Sequence, residues 1–207
     1  MMARPGRRGV LALLLLGPAL VAARADEPAA TAPIKALNDA LLAAMKAGKS
    51  ESFAKRVTLL APAVEGAFDL PGILRTSVGS RWAEFSPDDQ KALLTAFTAF
   101  TLASYAANFE GYDGQRFEVL PEQRAVGADL VVATRIVPKD GDPARIDYVM
   151  RQVQGAWKAV DVLLDGSISR VALQRSDFRT TLAAGGAPAL IRTLNKKTAD
   201  LAGGTPA

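Results

Sequence analysis

Residues 144–165 read ARIDYVMRQVQGAWKAVDVLLD, and this stretch decides the fold class. Apolar and polar side chains alternate along residues 144–153 and again along 156–165. A two-residue period is typical of a β-strand with one buried face. Gln154-Gly155 between the two segments predicts a hairpin turn, and strands joined by so short a connection are antiparallel. The stretch therefore predicts an antiparallel β-hairpin.

Two further strands are predicted before this hairpin, over Gln115–Pro121 and Ala128–Pro138. The turn residues Asp140-Gly141-Asp142 connect the second of them to residue 144. Together the four segments, the last ending at Asp165, form a predicted four-stranded antiparallel meander. One face of this sheet is apolar. The alternation leaves open whether that face packs on helices or lines a cavity.

Helical periodicity flanks the strands on both sides. Ser86-Pro87-Asp88-Asp89 predicts a capped helix start, since Ser favours the N-cap, Pro the first helical position, and acids the positive end of the helix dipole. Asp69 is likewise predicted to be a cap, and Ser50 the cap of an earlier helix. Helical pattern returns over Ser176–Ala184 and Pro188–Leu201. We therefore expect an α+β domain with its helices on one side of the sheet.

The first 25 residues have the pattern of a cleaved signal peptide. Arg4, Arg7 and Arg8 precede the apolar run Val10–Leu20, and Ala23-Arg24-Ala25 offers small residues at a cleavage site. The apolar run is too short to span a bilayer as a helix, although a retained anchor is the alternative. We expect cleavage before Asp26, a single domain over 26–201, a disordered tail over 202–207, and a periplasmic protein.

The composition excludes several kinds of chemistry. The chain has no Cys and no His, which removes disulfides, thiolate nucleophiles, Ser-His-Asp triads and imidazole metal sites. The leader holds four of the 25 basic residues and none of the 21 acidic ones, so the remainder carries 21 of each. This balance argues against a nucleic-acid-binding protein. Carboxylates, Tyr, Lys and Ser remain for catalysis, so composition leaves an enzyme possible.

An ordered series of short motifs resembles a known family. The series is Phe68-Asp69, Gly79-Ser80-Arg81-Trp82, Ser86-Pro87-Asp88-Asp89-Gln90, Tyr148, Trp157-Lys158, Asp161-Val162, Asp165-Gly166-Ser167-Ile168-Ser169, Arg175-Ser176-Asp177-Phe178 and Gly185-Gly186. Over residues 34–201 it is similar to the MlaC/toluene-tolerance family of periplasmic phospholipid-binding proteins. Residues 163–171 and 174–179 further resemble its hopanoid-associated branch (HpnM).

The resemblance implies a soluble lipid carrier on a curved sheet, related to the nuclear-transport-factor-like cone, with an apolar cavity beneath its helices. It implies a hopanoid or phospholipid ligand, an inner-membrane transporter of ABC or RND type and outer-membrane components as partners, transient membrane contact and a monomer. It also implies no catalytic residue, no bound metal and no cofactor. The predicted lipid-binding residues are Leu74, Phe97, Phe100, Tyr105, Val132, Ile146, Tyr148, Met150, Val160, Val162, Leu190 and Leu194. Met150→Glu is expected to empty the cavity and leave the protein folded.

Two alternatives remain at this point. A static envelope adaptor would fill the apolar sheet face with side chains and carry no lipid. An acid/base isomerase could use Tyr148 with Asp161, although no spacing requires that pair. Asp161 lies between two valines and needs a partner if it is buried, and Arg81 or Lys158 could supply one. Gly166 and Gly185-Gly186 are predicted to mark backbone turns.

Overall fold

The structure is a computed structural model that describes residues 23–203, with side chains from residue 29 onward. Residues 1–22 of the predicted signal peptide (1–25) and residues 204–207 of the predicted tail (202–207) lie outside the described residues. Both therefore stay predictions. No helix in the described part of the chain combines the length and the apolar character that crossing a bilayer requires.

Five α-helices and five β-strands make up the described chain, which confirms the predicted α+β class. The helices are α1 (Ala23–Ala47), α2 (Phe53–Ala67), α3 (Leu70–Val78), α4 (Pro87–Asn108) and α5 (Arg170–Ala202). The strands are β1 (Arg116–Val126), β2 (Asp129–Val137), β3 (Ala144–Val153), β4 (Ala156–Leu164) and β5 (Ile168–Ser169). They form one antiparallel sheet in the order β1-β2-β3-β4-β5.

The predicted count of four strands is too low by one. Asp165 and Gly166 both have positive φ, at 50° and 72°, and this turn reverses the chain directly after β4. Residues 168–169 then pair with Leu163 and Leu164 as the short edge strand β5. Two residues are too few to show an alternating pattern, so this strand could not be predicted from periodicity.

Strand β1 extends further than the predicted Gln115–Pro121. The register between β1 and β2 shifts between Val119 and Gln123, and Pro121 lies within that irregular segment. Proline lacks the N–H that a regular ladder needs, but an edge strand with a bulge tolerates it. The strand resumes after the shift and continues to Val126.

A bulge in β4 changes which side chains face the core. Val149 pairs with Asp161 while Met150 pairs with Ala159, so Val160 is the extra residue. An unbroken two-residue period through residues 156–165 predicts Val160 on the apolar face and Trp157 on the opposite face. In the structure, Ala159 is buried in the core and Trp157 packs against it. The assignment of these faces was wrong because it assumed an unbroken two-residue period through the strand.

The predicted helix caps are largely confirmed. The Asp69 side chain accepts a hydrogen bond from the Gly72 amide and caps α3, and Ser86 caps α4 in the same way. The cap of α2 is Ser52 and not the predicted Ser50, whose hydroxyl donates to the carbonyl of Ala47. The predicted Gly185-Gly186 break lies inside α5, where both residues leave helical geometry.

Gly166 should tolerate no side chain. Its φ is +72°, and an added Cβ would lie 2.9 Å from Nε of Arg145, which pairs with the buried Asp147. We expect Gly166→Ala to lower the free energy of unfolding by about 2 kcal/mol, from backbone strain plus this clash. Gly127→Ala is the matched control, since Gly127 has φ +62° but open space around it. Equal losses in urea unfolding would show that the clash is absent.

Candidate functional site

A pocket of about 280 Å³ lies between the apolar face of the sheet and helices α3, α4 and α5. Its apolar lining is Phe68, Leu70, Ile73, Phe97, Phe100, Phe109, Ile146, Val162, Leu164 and Val171. Its polar lining is Thr101, Ser104, Tyr105, Asn108, Tyr148, Asp161, Arg170 and Gln174. The walls are thus mainly apolar, and several polar groups are available to orient a ligand.

Aromatic rings form one wall of the pocket. Phe68 contacts Tyr105 and Tyr148 with ring centroids 5.8 and 6.1 Å apart, and Tyr105 stacks on Phe109 at 5.9 Å. Phe68 is held in place because the adjacent Asp69 amide donates to the carbonyl of Ala159 at 3.0 Å. The bulge in β4 is therefore tied to the junction between α2 and α3, and this contact orients the wall.

The two pocket tyrosines are held as neutral hydroxyls. Burial raises the pKa of Tyr148 well above its usual value, because the phenolate would lose its hydration. Burial also raises the pKa of Tyr105, and the neighbouring Tyr148 adds to this effect while the Arg170 charge opposes it. Within residues 29–203 neither hydroxyl has a hydrogen-bond partner. Both can therefore bond to a polar atom of a ligand.

The polar part of the lining includes one cation. Arg170 is exposed at the start of α5 and has no ion pair among the described residues. Asn108, at the end of α4, is also exposed. Gln174 is fixed by Ser77, whose hydroxyl donates to its side-chain oxygen at 3.3 Å. The pocket thus combines an apolar interior with exposed polar groups, which suits an amphipathic molecule.

Asp161 supports the N-cap of α5, which is Ser169, and forms no ion pair within the described residues. Its carboxylate accepts hydrogen bonds from the amides of Val162 and Val171, at 2.8 and 3.0 Å, and from the Ser169 hydroxyl. The predicted partners are engaged elsewhere. Arg81 pairs with Glu84 at 3.5 Å, and Lys158 donates to the carbonyls of Glu65 and Gly66. Asp161 therefore secures the start of α5 against β4.

Removing this carboxylate should loosen one wall of the pocket. We expect Asp161→Ala to lower the free energy of unfolding by about 2 kcal/mol, because two amides and a hydroxyl lose an ionised acceptor. Asp177→Ala is the control, since Asp177 is exposed on the same helix and has no hydrogen bond or ion pair within the described chain. Thermal unfolding measures both. Matching melting temperatures for the two variants would contradict the role of Asp161 in holding the start of α5.

The twelve predicted lipid-binding residues fall into three groups. The pocket lining includes Phe97, Phe100, Tyr105, Ile146, Tyr148 and Val162. Fully buried in the surrounding core and outside the lining are Leu74, Val132, Met150, Leu190 and Leu194. Val160 is the extra residue of the bulge, half-buried and outside the lining. The structure therefore brings six of the twelve together.

One end of the lining was not predicted from the sequence. Phe68, Leu70 and Ile73 come from the junction of α2 and α3, where the sequence predicted only the Asp69 cap. Arg170 and Val171 belong to the start of α5, which the sequence placed several residues later. The motif Phe68-Asp69 lies at this junction, and it predicted a helix cap and the family resemblance but not the lining of a pocket.

Comparison with known proteins identifies the family. The fold is similar to that of a phospholipid-binding protein from Ralstonia solanacearum, solved in complex with a phospholipid. The TM-score is 0.72 at 22% sequence identity, and the match covers 84% of this chain and 98% of that chain. Residues 35–196 match the sequence model of the family described as MlaC protein, which covers most of the chain. The protein belongs to the MlaC family.

Proposed function

We propose that the protein binds a lipid in this pocket and carries it through the periplasm. The observation that carries the proposal is the mainly apolar pocket of about 280 Å³ with Arg170 among its exposed polar groups. Exposing a 16-carbon chain to water costs roughly 13 kcal/mol, at about 0.8 kcal/mol for each methylene. A carrier lowers this cost by surrounding the chain with apolar side chains, and it needs no catalytic group.

The ligand that we propose is a phospholipid. The volume of about 280 Å³ is just below the range of about 300–1,000 Å³ that is typical of ligand sites, and an acyl chain can fill a space of this size. The similar Ralstonia protein holds a phospholipid, which supports the same choice. Arg170 is suited to the phosphate of the headgroup. A hopanoid is the second candidate, because residues 163–171 and 174–179 resemble the hopanoid-associated branch of the family.

Membership of the MlaC family supports a periplasmic location and a role in lipid movement between the two membranes. In this proposal an inner-membrane transporter of ABC or RND type and outer-membrane components exchange lipid with the protein. The adaptor alternative requires a filled interior, which the pocket does not favour. The isomerase alternative requires a free carboxylate, whereas both Asp161 oxygens already accept hydrogen bonds.

A transfer assay tests the carrier role. Donor vesicles contain a fluorescent phospholipid with a quencher, and acceptor vesicles contain neither. We expect added protein to speed the appearance of fluorescence in proportion to its concentration, because each molecule carries lipid through water. Repeating the assay with a labelled hopanoid compares the two ligands. A rate that stays at the protein-free value for both lipids would contradict the proposal.

A further inference from the structure

A second cleft lies on a different face of α5 from the pocket. It has a volume of about 380 Å³ and is bounded by the end of α3, the turn that follows it, and α5. Three arginines line it, namely Arg81, Arg175 and Arg179. Arg175 and Arg179 are one helical turn apart, so their side chains share one face of α5. The cleft is thus a local concentration of positive charge.

Most of this charge is uncompensated. Arg81 pairs with the exposed Glu84 at 3.5 Å between Nε and Oε2. In the part of the chain that the structure describes, Arg175 and Arg179 have neither an ion pair nor a hydrogen bond. Asp177 lies between them in sequence, but a two-residue separation places it on the opposite face of the helix. The donors of two guanidinium groups are therefore free to bind an anion.

The backbone helps to place one of these arginines. Gly79 has φ +72°, and an added Cβ there would lie 3.5 Å from Nη2 and 3.6 Å from Nε of Arg175. The missing side chain leaves room for the guanidinium to lie close to the turn. Ser80 and Ser176 add hydroxyls to the lining. Planar guanidinium groups with neighbouring hydroxyls match the oxygens of a phosphate.

We propose that this cleft docks the protein on a membrane surface by binding the phosphates of anionic lipid headgroups. The lining favours a phosphate surface over an acidic protein, because Ser80 and Ser176 add hydroxyl donors beside Arg175 and Arg179, and a phosphate offers more acceptor oxygens than a carboxylate. Outside the leader the acidic and basic residues balance, so attraction to the membrane depends on this local cluster.

The test uses the double variant Arg175→Gln/Arg179→Gln in a vesicle-binding assay. Vesicles contain equal parts of phosphatidylcholine and phosphatidylglycerol, or phosphatidylcholine alone. We expect the variant to bind the anionic vesicles about 30-fold more weakly, since each arginine at an anionic surface contributes roughly fivefold. Arg124→Gln/Arg192→Gln is the charge-matched control, because both residues are exposed and outside the cleft. The control should bind within about twofold of the unaltered protein.

Two results would overturn the proposal. Equal losses in both double variants would show that net charge, and not the cleft, attracts the membrane. If the unaltered protein binds inorganic phosphate in calorimetry but does not bind the vesicles, the cleft is a site for a free anion. The readout is binding to the vesicle surface, so it does not depend on what the pocket holds. If the vesicle-binding test contradicts the docking role of the cleft, the lipid-carrier proposal is unaffected. If the transfer assay contradicts the carrier proposal, the docking proposal is likewise unaffected.

Discussion

Met150→Glu should prevent the protein from folding. Met150 is fully buried between the sheet and the helices, and it lies in the filled core and not in the pocket lining. A carboxylate there would lose its hydration without gaining a partner, which costs about 4 kcal/mol or more. That is a large part of the 5–15 kcal/mol by which domains of this kind are stable. The sequence alone predicted a folded protein with an empty cavity, and the position of Met150 argues against that result.

Met150→Leu is the matched control. Leucine has a similar volume and no charge, so we expect a loss below about 1.5 kcal/mol. Circular dichroism and urea unfolding of both variants measure the difference. A folded Met150→Glu protein with a melting temperature near that of Met150→Leu would mean that residue 150 reaches water, and our description of the core would be wrong.

Ser104→Trp should have the largest effect on lipid binding. Ser104 lines the pocket from α4, and its hydroxyl only donates to the carbonyl of Phe100 in its own helix. An indole at this position would occupy volume that the acyl chain needs. Displacing even two methylenes costs about 1.6 kcal/mol, so we expect lipid affinity to fall by roughly tenfold or more. Bound lipid per protein, counted after gel filtration from phospholipid vesicles, measures the loss.

Thr95→Trp on the same helix provides the control. Thr95 is exposed, and its hydroxyl donates to the carbonyl of Lys91 in the same way. This variant should bind lipid as the unaltered protein does. Both variants should keep a cooperative thermal transition. If Ser104→Trp still takes up a full complement of lipid, the ligand lies elsewhere.

Local chemistry predicted much of the fold. Asp69 and Ser86 cap helices as expected because a side-chain oxygen three residues before a free amide satisfies it without help from the rest of the chain. The hairpin at Gln154-Gly155 was predictable for the same reason. The bulge at Val160 was not, since Ala159 bonds to the amide of Asp69, which is distant in sequence. Tertiary contacts decided the register there.

The site was predictable only in part. Phe97, Phe100 and Tyr105 share one side of α4, and Ile146 and Tyr148 share one face of β3, so periodicity could bring them together. Periodicity could not separate them from Leu74 and Met150, which have the same apolar character but pack in the core. Whether an apolar face meets a side chain or a void depends on how helices from distant parts of the chain sit on the sheet.

The most direct test of the central claim is lipid analysis of the protein as isolated from its own cells. The protein is purified without detergent, the bound lipid is extracted, and mass spectrometry identifies it and its amount. We predict phospholipid at close to one molecule for each protein, whereas bound hopanoid would keep the carrier role and change the ligand. A stable, folded protein that carries no lipid and takes none from vesicles would contradict the account.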